Sequence, residues 1–384
     1  MADARGKLPA VNSVDTVTYE SLGEFAPDWT VTPGDIIADL LQERGWTRAE
    51  FALRAGFTQK HINQLLKGAA SITQETAIKL EKVLGSTVRF WLGLEAQYRE
   101  QIAVTADVAA LAMEVDWLKE LPLRDMIKFG WVKKAENKPL QVHECLRYFA
   151  VSSVAAWRLQ YQQPVAAYRA APKLTRTPEA VAVWLRQGER LADAVAANEF
   201  NKANFEAALV QARTLSREPN PNRFLPSLQK LCASAGVAVV IAPAPTGCPV
   251  SGATKWLSPS KGLIALSLRG KSDDKLWFTF FHEAAHLLKH GKSLTFLDIL
   301  GEDGLNAAEE AEADAFARDF LLPRPSFDAF VNKAHFSEAA VRTFARQQQV
   351  APGIVVGRLQ FDGHLPWTHL NSAKVKYLWR HDQA

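Results

Sequence analysis

The sequence predicts a mainly α protein with an α+β C-terminal domain, and three observations predict it. Residues 33 to 93 break into short helical stretches, repeatedly punctuated by Thr and Gly. Helical periodicity then continues from 101 to 216, with apolar segments around Val142–Leu159 and Ala180–Ala197. Beyond Arg217–Pro226 (REPNPNRFLP) the texture changes to β-branched runs followed by long helices. The expected organisation is an extended lead-in at 1–30, a five-helix domain at 31–100, a helical middle at 101–220 and an α+β domain with a small sheet at 221–384.

In the first domain, Thr47 and Glu50 have the spacing of a helix start, and Gly56 closes that helix. Thr58 caps the next helix, Gln59 to Leu66, which Gly68 ends; Thr73 and Thr87 cap two more. Two short helices joined by a tight Gly turn form a helix-turn-helix. In its second helix Ile62, Leu65 and Leu66 supply the buried stripe. Gln59, Lys60, His61, Asn63, Gln64 and Lys67 are expected outside. Gln and Asn can pair with adenine in the major groove, and Lys suits guanine or phosphate. Between Phe51 and Gln74 there are three basic residues and no acidic one. Polar helix faces are more often merely solvated, so the alternative is a bundle that only dimerises or docks a protein.

The 384 residues carry a net charge of only +4, so any nucleic-acid contact must come from such a local patch. The first ten residues have no apolar core of a signal peptide, and no apolar stretch approaches membrane-span length. The three cysteines (Cys145, Cys232, Cys248) are far apart and odd in number, which favours reduced thiols and a cytoplasmic setting.

In the last domain Val237–Ile241 and Gly262–Leu268 read as strands, followed by helices around Leu276–His290 and Ala307–Phe320. Residues 282 to 286 read His-Glu-Ala-Ala-His. On a helix His282 and His286 share a face, so both imidazoles can reach one metal. Glu283 beside them can take a proton from water and pass it on to a leaving amine. The surrounding LWFTFF and Leu287–Leu288 are apolar, and burying such groups there without a partner is costly. The bland reading is two satisfied core histidines. A third ligand must come from Glu309, Glu310 or Glu312. Glu310 lies one turn before Asp314, an acid that could orient a ligand histidine, but periodicity does not exclude Glu312. Cys248, in a Gly/Pro loop, could block an open zinc position, though a plain loop cysteine is the better reading. Trp256 and Trp277 read as core, and His335, His364 and His369 as surface or structural.

Two resemblances bear on this reading. Thr32–Glu100, including TPGDIIADLLQERGWTRAEFALRAGFTQKHINQLLKG, resembles the repressor-like helix-turn-helix family, and within it the HigA antitoxin type. The resemblance places base reading on Gln59, Lys60 and Gln64 and a backbone contact on Arg48. It implies double-stranded operator DNA, a homodimer and a toxin partner. The stretch from about Leu228 to Leu359, with WFTFFHEAAHLLKHG and EEAEADAFARDFLLP, resembles the ImmA/IrrE metallopeptidases, which look like compact relatives of the gluzincins. That implies Zn2+ held by His282, His286 and Glu310, with Glu283 catalytic and Asp314 and His290 behind the ligands. Ala285 stands where the family often has Gly, and no residue matches a transition-state stabiliser. The combination implies a DNA-binding regulator with a zinc endopeptidase, acting on a repressor, an antitoxin or itself. The rival is a repressor or antitoxin whose zinc domain is structural or ligand-sensing.

Overall fold

The computed structural model describes residues 32–162, 178–290, 296–299 and 307–379. The lead-in expected at 1–30 lies outside the described residues. The chain divides into two compact units: 1–115 with 135–143, and 116–134 with 144–384. The stretch read as a helical middle is divided between them.

The first unit contains α1 (Pro33–Glu43), α2 (Arg48–Ala55), α3 (Gln59–Leu66), α4 (Gln74–Leu84) and α5 (Val88–Ala112). Each starts where a threonine hydroxyl accepts a backbone N–H: Thr32 from Asp35, Thr47 from Glu50, Thr58 from His61, Thr73 from Thr76 and Thr87 from Phe90. Such a cap satisfies a donor that the helix itself cannot, worth about 1 kcal/mol each. The Glu50 side chain does not return to the cap; it pairs with Arg54 at 2.7 Å. Gly56 ends α2 at φ 66°, in the left-handed region that costs glycine nothing. Gly34 admits close approach of α1 to α3, because a methyl there would overlap the Leu66 carbonyl. Ile37, Phe51, Ile62, Leu65, Leu80 and Trp91 form the core.

The second unit is built on a four-stranded sheet of order β1-β3-β2-β4. Its strands are β1 (Val237–Ile241), β2 (Val250–Ser258), β3 (Lys261–Leu266) and β4 (Phe296–Ile299). β1 runs parallel to β3, while β2 is antiparallel to both β3 and β4. Two of these strands were expected. β2 was not, because VSGATKWLS has neither a β-branched run nor alternation.

Before the sheet the chain forms α6 (Leu123–Lys128), α7 (Lys138–Phe149), α8 (Val154–Trp157), α9 (Pro178–Asp193), α10 (Lys202–Leu215) and α11 (Pro221–Ser234). After β3 come α12 (Asp273–Lys289), α13 (Ala307–Leu321), α14 (Arg324–Val331), α15 (Glu338–Gln348) and α16 (Pro352–Phe361). The Pro/Asn-rich stretch 217–226 does not separate the units. It starts a helix, with Asn220 as cap and Pro221 in the first turn, where its missing N–H is not needed. α12 packs against β2, β3, α13 and α16. Fourteen of its 17 residues are buried, among them Trp277, Phe280 and Phe281. An α-helix apolar on all sides can be stable only inside a core, and this one fixes whatever polar groups it carries.

Candidate metal centre and nucleic-acid interface

Three polar side chains of the second unit converge between α12 and α13. His282 and His286, one turn apart on α12, bring their Nε2 atoms to 3.1 Å. Glu310 of α13 reaches His282 Nε2 at 3.1 Å and His286 Nε2 at 3.6 Å. The donor atoms of His282, His286 and Glu310 all lie within 4.8 Å of one another. Among the described residues no other such group of His, Cys, Asp and Glu was found. A tetrahedral zinc with bonds of about 2.0–2.1 Å requires donors about 3.3 Å apart. The observed separations fit that requirement.

The outer partners fix how the rings present themselves. Asp314 Oδ1 lies 2.9 Å from His282 Nδ1. A carboxylate there can only accept, so Nδ1 carries the proton and the Nε2 lone pair faces Glu310. His286 Nδ1 lies 2.8 Å from His290 Nδ1, and His290 Nε2 lies 3.3 Å from Glu312 Oε2. A proton on His286 Nδ1 donated to His290, and one on His290 Nε2 donated to Glu312, also turns the His286 Nε2 lone pair inward. Acceptors facing one another at 3.1 Å repel unless a cation sits among them. Burial pushes the His286 imidazolium pKa down, so a proton is the weaker candidate for that cation. Glu310 aims its carboxylate at the Nε2 atoms of both imidazoles. The residues present fit a metal.

Glu312, the alternative on periodicity, faces elsewhere. It is half exposed and pairs with Lys289 at 2.7 Å and with His290. Those contacts lower its carboxyl pKa, the Lys289 hydrogen bond first. Glu309 is not part of the convergent group either.

Glu283 is fully buried beside the two histidines. Thr254 of β2 places its hydroxyl 2.6 Å from Glu283 Oε2 and 2.9 Å from the Glu283 carbonyl. Gly252, two residues earlier on the same strand face, leaves the room that the carboxylate occupies. A methyl there would come within 2.6 Å of Glu283 Oε1 and 2.5 Å of Thr279 Cγ2. The sequence reading missed Thr254 and Gly252. The small residues in VSGAT were the available signal.

Cys248 is buried, and burial pushes its thiol up to about 12, against smaller opposing effects from Val250 and Arg269. It is a closed thiol outside the ligand group, not a thiolate poised to reach it. Cys145 and Cys232 are likewise buried and form no disulfide among the described residues. Trp277 is in the core, and Trp256 packs edge-on against Phe200. His335, His364 and His369 are exposed.

In the first unit, Gln59, Lys60, Asn63, Gln64 and Lys67 stand exposed on α3 and its C-terminal end. His61 departs from the expectation of an outside position: it is half-buried, with its ring 4.9 Å from that of Phe57. That tilted ring contact competes with projection into solvent. Arg48, at the start of α2, donates to Asn63 Oδ1 at 3.3 Å, so these two side chains hold one another.

Comparison with known families separates the two units in the same way. Residues 37–91 match the family described as Helix-turn-helix, and residues 232–360 match a peptidase family described as IrrE N-terminal-like domain. An uncharacterized HTH-type transcriptional regulator, YddM, of Escherichia coli K12 is 38% identical over 80 residues, which is 21% of this chain and 85% of that protein. The chain belongs to the helix-turn-helix regulators and carries an IrrE N-terminal-like domain. Two solved structures match the helix-turn-helix domain. One, from Nostoc punctiforme, is described as an antidote protein of a plasmid maintenance system; it is 34% identical, covering 20% of this chain and 84% of that one, with a TM-score of 0.19. The other, from Coxiella burnetii, is described as an addiction module antidote protein of a HigA family; it is 28% identical, covering 22% and 94%, with a TM-score of 0.20. The IrrE-like domain contains the convergent donors on α12 and α13, so the candidate metal site lies within a peptidase family. No helix among the described residues is long and apolar enough to cross a membrane.

Proposed function

We propose that this chain is a DNA-binding regulator carrying a zinc-dependent endopeptidase that cuts a specific regulatory protein in the cytoplasm. The observation that carries the enzymatic half is the convergence of His282, His286 and Glu310, with Asp314 seated on the far nitrogen of His282. These three residues would hold the zinc. When bound, zinc supplies a Lewis acid for a peptide carbonyl and for water. Glu283 takes the proton of the attacking water and delivers it to the leaving amine. Thr254 holds one oxygen of that carboxylate, leaving its orientation defined before substrate arrives. Asp314 and His290 keep the two ligand rings in the tautomer that points Nε2 inward. The substrate is a repressor, an antitoxin or this chain itself.

The DNA half rests on the exposed polar face of α3. Gln59, Lys60 and Gln64 would read bases, with Asn63 and Lys67 beside them and Arg48 on the backbone. His61 contributes its backbone to the Thr58 cap and its ring to the Phe57 contact. A homodimer on a palindromic operator, with half-sites about one DNA turn apart, is the expected arrangement. The antidote descriptions of the two solved relatives support a toxin partner.

The test is cleavage by the purified full chain, supplied with zinc, of itself and of the repressor or antitoxin encoded beside it. Wild type should cut and Glu283→Gln should not, while both retain zinc. Equal cleavage by the two would remove Glu283 from the chemistry. If neither cuts but operator binding persists, the domain is a metal-holding sensor rather than an enzyme.

A further inference from the structure

A cavity lies at the N-terminal end of α12, within the IrrE-like domain. Ser251 of β2, Arg269 and Lys271 of the turn after β3, and Lys275 and Thr279 of α12 are among its lining residues. Three of those five are cations, and no carboxylate lines the cavity among the described residues. Ser251 is only 8% exposed, and its hydroxyl is buried with no hydrogen-bond partner. A buried hydroxyl that the protein leaves unsatisfied is one that a ligand can satisfy. The start of a 17-residue helix adds its own positive potential.

The two acids of the same helical turn are not among the lining residues. Asp274 is occupied by Lys374 at 2.6 Å and by the Ser272 hydroxyl at 2.5 Å. Asp273 points its carboxylate at the backbone N–H groups of Asp274 and Val375. Arg269 is steadied by donation to the Cys248 carbonyl at 3.0 Å.

The cavity adjoins the site already described. Gly252 follows Ser251 directly, and a methyl on it would touch both Thr279 and the Glu283 carboxylate. Thr279 lines the cavity and faces Gly252 beside Glu283, so a substrate with its scissile bond at Glu283 can set a neighbouring group among Ser251, Arg269 and Lys275. We propose that this cavity is a substrate subsite that takes a carboxylate next to the bond to be cut, supplied by an acidic side chain or by a chain terminus. The proposal rests on the peptidase reading. In it the Ser251 hydroxyl donates to the carboxylate, and the cations balance its charge.

The test is binding to the full-length wild-type chain, followed by ligand-observed NMR at millimolar probe concentration. The probes are N-acetyl-glutamate methylamide, N-acetyl-glycine and the neutral N-acetyl-glutamine methylamide. At least one carboxylate probe should bind about tenfold more tightly than the glutamine probe. Ser251→Ala and Lys275→Gln should each weaken it by a similar factor without lowering the thermal transition. Ser251→Ala removes a hydroxyl that has no protein partner, so loss of folding is not expected. Which carboxylate probe wins identifies the source. Equal binding of the glutamate and glutamine probes, no carboxylate binding, or indifference to both substitutions overturns the proposal. The readout involves no turnover, so failure of the peptidase reading shows separately, as cleavage that does not depend on Glu283.

Discussion

Asp273 begins the helix that carries the histidines, and it is fully buried. Burial, with the Asp274 charge adding to it, raises its carboxyl from 3.8 to about 7 despite three backbone N–H bonds. One carboxylate oxygen, Oδ2, has no hydrogen-bond partner, and the buried Tyr377 hydroxyl has none either. The Tyr377 phenol is itself pushed up, by burial first and by the Asp273 charge second. Gly353 of α16 closes on the carboxylate so tightly that a methyl there would overlap it. A group whose acid form is favoured in the folded state destabilises that state once it ionises. The penalty is absent below about pH 4, grows as pH rises, and is fully present above about pH 7. The full difference corresponds to ~4 kcal/mol, and relaxation of the surroundings should leave about half of it. Asp273→Asn keeps an oxygen for the Asp274 and Val375 N–H groups and places an NH2 where Oδ2 has no partner. At pH 8 the substitution should therefore raise the unfolding temperature of the second unit by about 4–8 °C, at roughly 2–4 °C per kcal/mol. At pH 4.5 it should change little. Scanning calorimetry of the full chain at both pH values measures this. A fall in Tm at pH 8, or an equal rise at both, would refute the assignment of a buried charge at this position.

Three further outcomes are expected. Asp314→Asn replaces the acceptor on His282 Nδ1 and should weaken zinc binding about 10–100-fold, read by competition with a chromophoric chelator. Gly252→Ala displaces the Glu283 carboxylate but touches no ligand, so cleavage should fall about tenfold or more while zinc content stays at the wild-type level. Arg48→Ala should weaken binding to the protein's own promoter and flatten its salt dependence by about one unit of slope, whereas Gln59→Ala should relax sequence preference without changing that slope; bandshifts across a salt series separate the two.

The parts of this protein that were legible in the sequence are those where one residue type does one local job. Thr47, Thr58, Thr73 and Thr87 cap helices because hydroxyls must satisfy N–H groups that have no helical partner, and the structure uses all four. His282 and His286 share a face because their spacing is close to a helical turn. The choice among the three glutamates was not local. It depends on how α13 lies on α12, and periodicity left Glu310 and Glu312 open until a family resemblance separated them. Thr254 and Gly252 were missed for a similar reason: they reach Glu283 only because β2, whose sequence has no strand period, is placed against α12. Pro221 misled because proline reads as a break, although at the first turn of a helix it is at home. His61 was counted with the polar face by its chemistry, but its ring lies against Phe57.

Zinc content per chain bears most directly on the central claim, measured by atomic emission on wild type, Glu310→Ala and Glu312→Ala purified identically and supplied with the metal. The account predicts about one zinc in wild type, retention in Glu312→Ala and loss in Glu310→Ala. Wild type that stays folded and metal-free, or Glu310→Ala that keeps its zinc while Glu312→Ala loses it, would contradict the ligand set on which the peptidase reading stands.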